Sequence, residues 1–572
     1  TPQNQIYIAL NPKTGDIMDV KSITPNLSVC SQILASEMQA VNEAGFKAII
    51  CNRPDGEGSD QPSFKEIEAA ASQYGLQAKY LPAESGKVRD EDGKAFGQLL
   101  NTLPGPVLAY CRTGMRSTTL WALSQAGVTP LPQILEVSKK IGFDLKALVQ
   151  RIANGGKTPV NQADASHDVV IVGGGAAGIS VASSLLARSP QLDIAIIDPA
   201  DAHFYQPGWT MVGGGIFKPG ETARTMASVI PTDVSWIKAA VAAFEPENNQ
   251  LILEGCRVVK YKQLVVCPGL KLDWQGIEGL NDTLGRNGVT SNYRFDLAPY
   301  TWELVQKLKS GKALFTQPPM PIKCAGAPQK AMYLSADHWT RQGALNNIDI
   351  QFCNSGAVLF GVADYVPALM EYVKKYRIGL NFGETLVAVD GPAHKATFMK
   401  NHADGSKEKV VRDFDMIHVV PPQKAPDFVR VSPLADTAGW VDVDPASLRH
   451  KTYSNVFALG DVANTTNAKT AAAARKQAPV VAHNLLVALG QRQGEAKYDG
   501  YGSCPLTVER GKIVLAEFTY GGKLAPSFPT WLIDGTKPST LAWYLKERLL
   551  PPIYWEAMLK GREWMAQPEM VG

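Results

Sequence analysis

The chain has 572 residues, which at about 150 residues per domain is three to four domain-sized units rather than a single core. Hydrophobic residues make up 45% and Asp, Glu, Lys and Arg 19%, below the roughly 25% of an average soluble chain, which excludes disorder and predicts some apolar surface. A net charge of +3 without a basic run argues against a nucleic-acid partner, and eight scattered cysteines without a CxxC pair argue against a disulfide framework and structural zinc. With no apolar run of about 18 residues and no charged-then-apolar leader after Thr1, the expectation is a cytoplasmic protein whose membrane contact, if any, is peripheral.

From the amino terminus, Ala48-Ile49-Ile50-Cys51 and Val107-Leu108-Ala109-Tyr110 read as short strands alternating with helices over 35–44, 64–74 and 93–102, which predicts an α/β domain over residues 1–152. Cys111-Arg112-Thr113-Gly114-Met115-Arg116 then joins a strand to a helix. Inward-pointing amides in such a loop make an anion nest that holds a thiol as thiolate, so Cys111 is the candidate nucleophile and Arg116 the residue to grip an oxyanion. Asp55 is either a general acid or the start of an Asp-Gly turn. Cys30 and Cys51 read as packing residues, Cys30 also as a candidate sulfur relay.

Small, polar and breaker residues over 153–166 predict a linker. After it, the strand 169–172 runs into Gly173-Gly174-Gly175-Ala176-Ala177-Gly178, a helix to Ala187 and a strand 194–197 ending at Asp198. This βαβ unit predicts dinucleotide binding: Gly173, Gly175, Ala177 and Gly178 let a pyrophosphate approach the helix N-terminus, and Asp198 takes a ribose hydroxyl. A second strand-helix-strand at 312–315, 329–342 and 348–352 implies two nested Rossmann-type folds. It lacks a glycine fingerprint and sets Pro318, Pro319 and Pro321 ahead of Cys324, so NADH is not the expected electron donor. Further on, Val456-Phe457-Ala458-Leu459-Gly460-Asp461 is a short strand ending in Gly-Asp, and Lys469-Thr470-Ala471 opens a helix. Residues 526–572 form a tail with Trp531, Trp543, Trp555 and Trp564 among Lys546, Arg548, Lys560 and Arg562. It reads either as a membrane-surface helix or as a packing helix within or between copies of the chain.

Residues 167–565 resemble the sulfide:quinone oxidoreductases, closest to the mitochondrial type. The resemblance rests on the glycine loop and on His203-Phe204-Tyr205-Gln206-Pro207, Pro321-Ile322-Lys323-Cys324-Ala325-Gly326-Ala327-Pro328-Gln329-Lys330, Ala438-Gly439-Trp440-Val441-Asp442, Lys497-Tyr498-Asp499-Gly500-Tyr501 and the Trp-rich tail. It implies an oxidoreductase over 167–525 with FAD at the first site, near Gln206, Asp461 and Lys469, and a strand at Val241 passing the adenine. It further implies sulfide as electron donor, a quinone reached through a membrane-facing tail, and a low-molecular-weight thiol or persulfide as sulfur acceptor. In the family, Cys324 works with a second cysteine just after the Gly-Asp motif, where this chain has Val462 and Ala463; Cys267 and Cys353 are the candidate substitutes, while Cys256 and Cys504 read as structural.

The four-residue spacing from Cys111 to Arg116 is shorter than in tyrosine phosphatases and resembles rhodanese-type sulfurtransferases. The domain around it resembles the phosphatase-like domains found fused to β-lactamase-fold hydrolases or to flavoproteins. The combined expectation is sulfide oxidation coupled to a sulfurtransferase domain, with a homodimer expected on general grounds. The alternatives are a flavin reductase of glutathione or coenzyme A persulfides or disulfides, a phosphatase–flavoprotein fusion and a noncatalytic sensor.

Overall fold

The computed structural model describes residues 5–11, 16–59, 61–159 and 165–571, so the middle of the expected linker, 160–164, lies outside the described residues. The chain forms two compact units. The first takes residues 1–166 together with 239–260 and 427–433; the second takes the rest.

The first unit is built on a six-stranded sheet in the order Gln5–Asn11, Asp16–Thr24, Leu27–Cys30, Val107–Tyr110, Ala48–Cys51, Gln77–Tyr80. The last four strands are parallel. Leu27–Cys30, Val107–Tyr110 and Ala48–Cys51 are buried throughout, because successive side chains enter two cores on opposite faces: Val29, Ile50 and Ala109 one, and Cys30, Ile49, Cys51, Leu108 and Tyr110 the other. The helix Phe64–Gln73 starts at a reciprocal cap, Ser63 Oγ accepting from the Glu66 amide while the Glu66 carboxylate accepts from the Ser63 amide at 2.7 Å. The hairpin Val241–Glu245/Gln250–Leu253 contributes Ala242 and Ile252 to the same core as Val29. Arg430, on the short helix Asp427–Arg430, pairs with Glu136 at 2.9 Å.

In the second unit, Val234–Ile237, Ile194–Ile197, Ala165–Val172 and Val258–Val266 are successive strands of one sheet, and Val456–Ala458 runs parallel to Val258–Val266. The helix Ala176–Arg188 and the helix Ala471–Ala488 share the core of this sheet through residues such as Ile179, Leu185, Val481 and Leu485. A second parallel sheet runs Val289–Thr290, Met416–His418, Gly311–Gln317, Ile348–Asn354, Gly379–Phe382. The helix Ala327–Arg341 and an antiparallel hairpin, Gly502–Glu509/Lys512–Phe518, pack in its core. The two nested Rossmann-type folds are therefore present, with the strand Ile194–Ile197 at the expected positions.

The tail divides. Trp543 and Trp555 are buried in cores, whereas Trp531 is 83% and Trp564 61% exposed, with Leu541, Tyr544 and Leu549 also exposed. Among the described residues, no helix is long and apolar enough to cross a membrane.

Candidate active site

The second unit encloses a cavity of about 440 Å³ at the C-terminal ends of its first-sheet strands. The glycine loop forms one end. Gly173 has φ 111°, and a Cβ there would stand 2.5 Å from the Cys267 carbonyl oxygen; a Cβ on Gly178 would stand 1.9 Å from the Gly173 oxygen. A Cβ on Gly175 would meet nothing within 4 Å, so the loop is open on the side a diphosphate would use. Asp198 accepts from the Gly174 amide at 2.6 Å and from the Ala200 amide at 2.8 Å, leaving lone pairs for a ribose. Ala177 also lines the cavity, facing Gly460.

Deeper in, the cavity is rich in cations. Lys323 donates to Gln206 Oε1 at 2.7 Å, and Lys469 donates to the Ala463 carbonyl at 2.8 Å. Burial presses Lys469 down to about 8 despite the Asp461 carboxylate. Burial pushes Asp461 up, against the pull of Lys469 and Lys323. The helix Ala471–Ala488, capped by Thr470 Oγ1 on the Ala473 amide at 3.2 Å, directs its N-terminus at the same space. Trp209 Nε1, Thr210 Oγ1 and both side-chain atoms of Asn292 are buried on residues of the cavity wall without a hydrogen-bond partner. An open glycine loop, surplus lysines and orphaned polar groups fit an anionic dinucleotide with a polar ring system. Val241 is not among the lining residues; it is buried and paired with Leu253.

Cys324 also lines the cavity, and the structure corrects the reading of its partner. The second sulfur belongs to Cys504, on Gly502–Glu509, with the two Sγ atoms 3.9 Å apart. A Cβ on Gly326 would stand 2.3 Å from Cys504 Sγ, so only glycine two residues after Cys324 admits that sulfur. Val462 and Ala463 are buried, and what Ala463 offers is its carbonyl to Lys469. Cys267 touches the cavity wall, but its thiol sits beneath the glycine loop, 3.8 Å from the Gly173 oxygen, with its ionisation pushed up by burial. Cys353 is fully buried in the second sheet and pushed up to about 12 by burial. Neither is brought to Cys324 as Cys504 is. Cys504 escaped the sequence reading because it lies 180 residues further on, in a strand without a local motif.

The thiols are held unequally. Cys324 has a left-handed backbone, φ 50°, pinned by its amide donating to the Lys469 carbonyl at 2.8 Å and by Tyr293 Oη donating to its carbonyl at 3.2 Å. The Cys504 sulfur beside it and Lys330 Nζ, 3.2 Å from its own sulfur, together overcome burial and hold Cys324 well below the usual thiol range, while Cys504 is pushed up. A second buried ammonium, Lys546, stands in the same cavity; among the described residues its one hydrogen bond is a 3.4 Å contact to the Pro207 carbonyl, and burial and Lys330 press it down to about 7. Lys330 and Lys546 were not singled out from the sequence. Lys330, six residues after Cys324 on the helix that follows it, was within reach of a sequence argument.

In the first unit, Cys111 follows Val107–Tyr110 directly, is 1% exposed and accepts from the Gly114 amide at 3.1 Å. Arg116 does not face an open cradle. It donates to the Ala83 carbonyl at 2.7 Å, to the Asn52 carbonyl at 3.3 Å and to Glu57 at 2.8 Å. Arg53 binds the other oxygen of the same carboxylate at 2.8 Å, and against the cost of burial the two guanidinium groups hold Glu57 below the ordinary carboxylate range. Asp55 accepts from the Phe64 amide at 2.8 Å, a structural role at the start of a helix.

Comparison with known proteins agrees with this division. Residues 19–128 match the phosphatase-like domain of beta-lactamase hydrolase-like proteins, and residues 167–310 match the pyridine nucleotide-disulphide oxidoreductases. Over 132 residues the chain is 33% identical to a beta-lactamase hydrolase-like protein of Agrobacterium fabrum, covering 23% of this chain and 31% of that protein. The structure of the sulfide:quinone oxidoreductase of Aquifex aeolicus shares the fold, with a TM-score of 0.59 at 18% identity over 71% of this chain and 97% of that one. The mitochondrial sulfide:quinone oxidoreductase of Dictyostelium discoideum is 42% identical over 397 residues, 69% of this chain and 86% of that protein. The chain is a flavin oxidoreductase and belongs to the sulfide:quinone oxidoreductase family, with a phosphatase-like domain fused ahead of it.

Proposed function

We propose that the second unit oxidises sulfide at the Cys324–Cys504 pair and passes the electrons through FAD to a quinone. The observation that carries this is the pair itself: two sulfurs 3.9 Å apart, of which that of Cys324 stands 3.2 Å from the Lys330 ammonium on a residue that lines the cavity, with Cys504 directly behind it. Gly173, Gly175, Ala177, Gly178, Asp198, Gln206, Asp461 and Lys469 would hold FAD. Bound there, FAD supplies a two-electron acceptor that a quinone can reoxidise.

The turnover starts from the disulfide form of the pair. Hydrosulfide attacks one sulfur and the other leaves as thiolate, and the sulfur with the lower pKa leaves faster. Cys324 is therefore the leaving thiolate, stabilised by Lys330, and Cys504 carries the added sulfur as a persulfide. A thiol or other sulfur acceptor then takes the outer sulfur from Cys504, leaving it as a thiol, and the Cys324–Cys504 disulfide would re-form as the pair gives two electrons to bound FAD. The exposed Trp531, Trp564, Leu541 and Leu549 suit the headgroup layer of a membrane and give the quinone its approach. The test is to add sulfide anaerobically to the flavin-loaded protein and then a soluble quinone. Flavin bleaching that quinone reverses supports the reading; a flavin that stays oxidised in the wild type ends it.

For the first unit we propose sulfur transfer at Cys111 rather than phosphoester hydrolysis. A phosphate dianion needs a guanidinium inside the loop, and the two buried ones, Arg116 and Arg53, are already paired with Glu57, while Arg112 is exposed. A thiol carrying a neutral outer sulfur needs only the Gly114 amide.

A further inference from the structure

The hairpin that brings Cys504 to Cys324 has a second face. In Gly502–Glu509, Ser503 and Pro505 line the cavity while Cys504 between them points towards Gly326. Across the hairpin, Ser503 pairs with Glu517 and Cys504 with Ala516, so the carboxylate of Glu517 shares the cavity face and the sulfur does not. Glu517 is 5% exposed, and among the described residues no Lys, Arg or His forms an ion pair with it. Its oxygens instead take Tyr501 Oη at 2.6 Å, Ser527 Oγ at 2.5 Å and the Ser527 amide at 3.0 Å. Tyr501 and Ser527 line the cavity too, next to an apolar wall of Leu515, Phe528, Leu545 and Leu550. The charged groups facing them are Arg475 and Lys476, in the second turn of Ala471–Ala488, with Lys476 Nζ 5.5 Å from the centre of the Tyr501 ring. An acid taken out of water, bonded to a phenol and set against an apolar wall has no part in thiol exchange on the opposite face of the hairpin. It suits an apolar substrate that must be protonated.

We propose that Tyr501 and Glu517 are the proton-delivery pair for quinone reduction, Tyr501 giving its hydroxyl proton to a quinone oxygen and regaining one from the Glu517 carboxyl. The proposal rests on the quinone reading above. A quinone becomes a quinol by gaining two electrons and two protons. Bound FAD, once reduced, would supply the electron pair and one proton. The second proton comes as the Tyr501 O–H breaks and a quinol O–H forms; the Glu517 O–H then breaks to restore the phenol, and Glu517 takes a proton back from water. With Glu517 ionised the phenol donates to the carboxylate, and with Glu517 protonated the same 2.6 Å bond reverses and frees the phenol proton for the cavity.

The test separates the two halves of turnover in the flavin-loaded protein. Wild type, Glu517→Gln and Tyr501→Phe are reduced anaerobically with sulfide, then mixed in stopped flow with a short-chain ubiquinone or with ferricyanide, which takes electrons without protons. The proposal expects both variants to bleach with sulfide, to reoxidise with ferricyanide like wild type, and to reoxidise with quinone about a hundredfold more slowly, losing the solvent isotope effect that wild type shows. Quinone reoxidation within about twofold of wild type overturns it, as does an equal slowing with ferricyanide, which would mark a structural role. A wild type that bleaches with sulfide yet ignores quinone removes the quinone reading itself, an outcome distinct from a defect confined to the variants.

Discussion

Cys111 and Cys324 each lie between a parallel strand and the helix that follows it, and their surroundings balance charge in opposite ways. At Cys111 the two buried arginines, Arg53 and Arg116, are paired with Glu57, and the thiol accepts from one amide. At Cys324 the buried cations Lys330 and Lys546 have no carboxylate in contact among the described residues, and the sulfur pair is the negative charge they can answer. A strand-to-helix position is thus only a scaffold. Whether a sulfur there works as a thiolate depends on whether an acid has already claimed the local cations.

The contrast breaks most severely if either sulfur of the pair is removed. Cys324→Ser and Cys504→Ser are each expected to slow sulfide-dependent bleaching by at least about a thousandfold, because neither alone can keep the added sulfur while the other leaves. Bleaching that survives Cys504→Ser would show that the pair is not a functional unit. Next in size is Lys330→Met, which removes the ammonium 3.2 Å from Cys324. The Cys324 titration, followed by thiolate absorbance or by the pH dependence of alkylation, is expected to rise by about one to two units, and bleaching at neutral pH to slow about tenfold.

A smaller effect comes from Lys546, whose folded-state value of about 7 lies below that of an exposed lysine. Between that value and the unfolded one, near 10.5, the unfolded chain binds a proton that the folded chain does not. Stability therefore rises with pH through this window, and the penalty is fully felt below about 7. Thermal unfolding from pH 7 to 10 is expected to show a shallower rise in Lys546→Met than in wild type; parallel curves would contradict the buried-ammonium picture. Smallest is the change at the other cysteine. Glu57→Gln frees Arg116 and is expected to tighten sulfate binding to the first unit about three- to tenfold by calorimetry, while incubation with a thiosulfonate adds one sulfur to Cys111 by mass.

The sequence showed the parts that depend on neighbours along the chain. The strands Ala48–Cys51, Val107–Tyr110 and Ile194–Ile197 were readable because both their faces are buried, which writes continuous apolar runs. The glycine loop and Cys324 were readable because turn chemistry and a local motif name them. What stayed hidden comes from distant segments. Cys504 is delivered by a hairpin, Lys546 by the tail, and Glu57 disarms Arg116 from a loop 59 residues away. The antiparallel strand Asp16–Thr24, whose apolar pattern is weak, was also missed, as was the grouping of 239–260 with the first unit, since packing partners leave no local signature.

The left-handed backbone at Cys324 bears on how variants of this protein should be judged. A side chain with a Cβ at φ 50° costs on the order of 1 kcal/mol that glycine would not incur. Cys324→Gly therefore relaxes the backbone as it deletes the sulfur, whereas Cys324→Ala keeps the strain. Selection for thermal tolerance alone would drift towards glycine there and discard the reactive atom, so a hardier variant is no evidence of a working one.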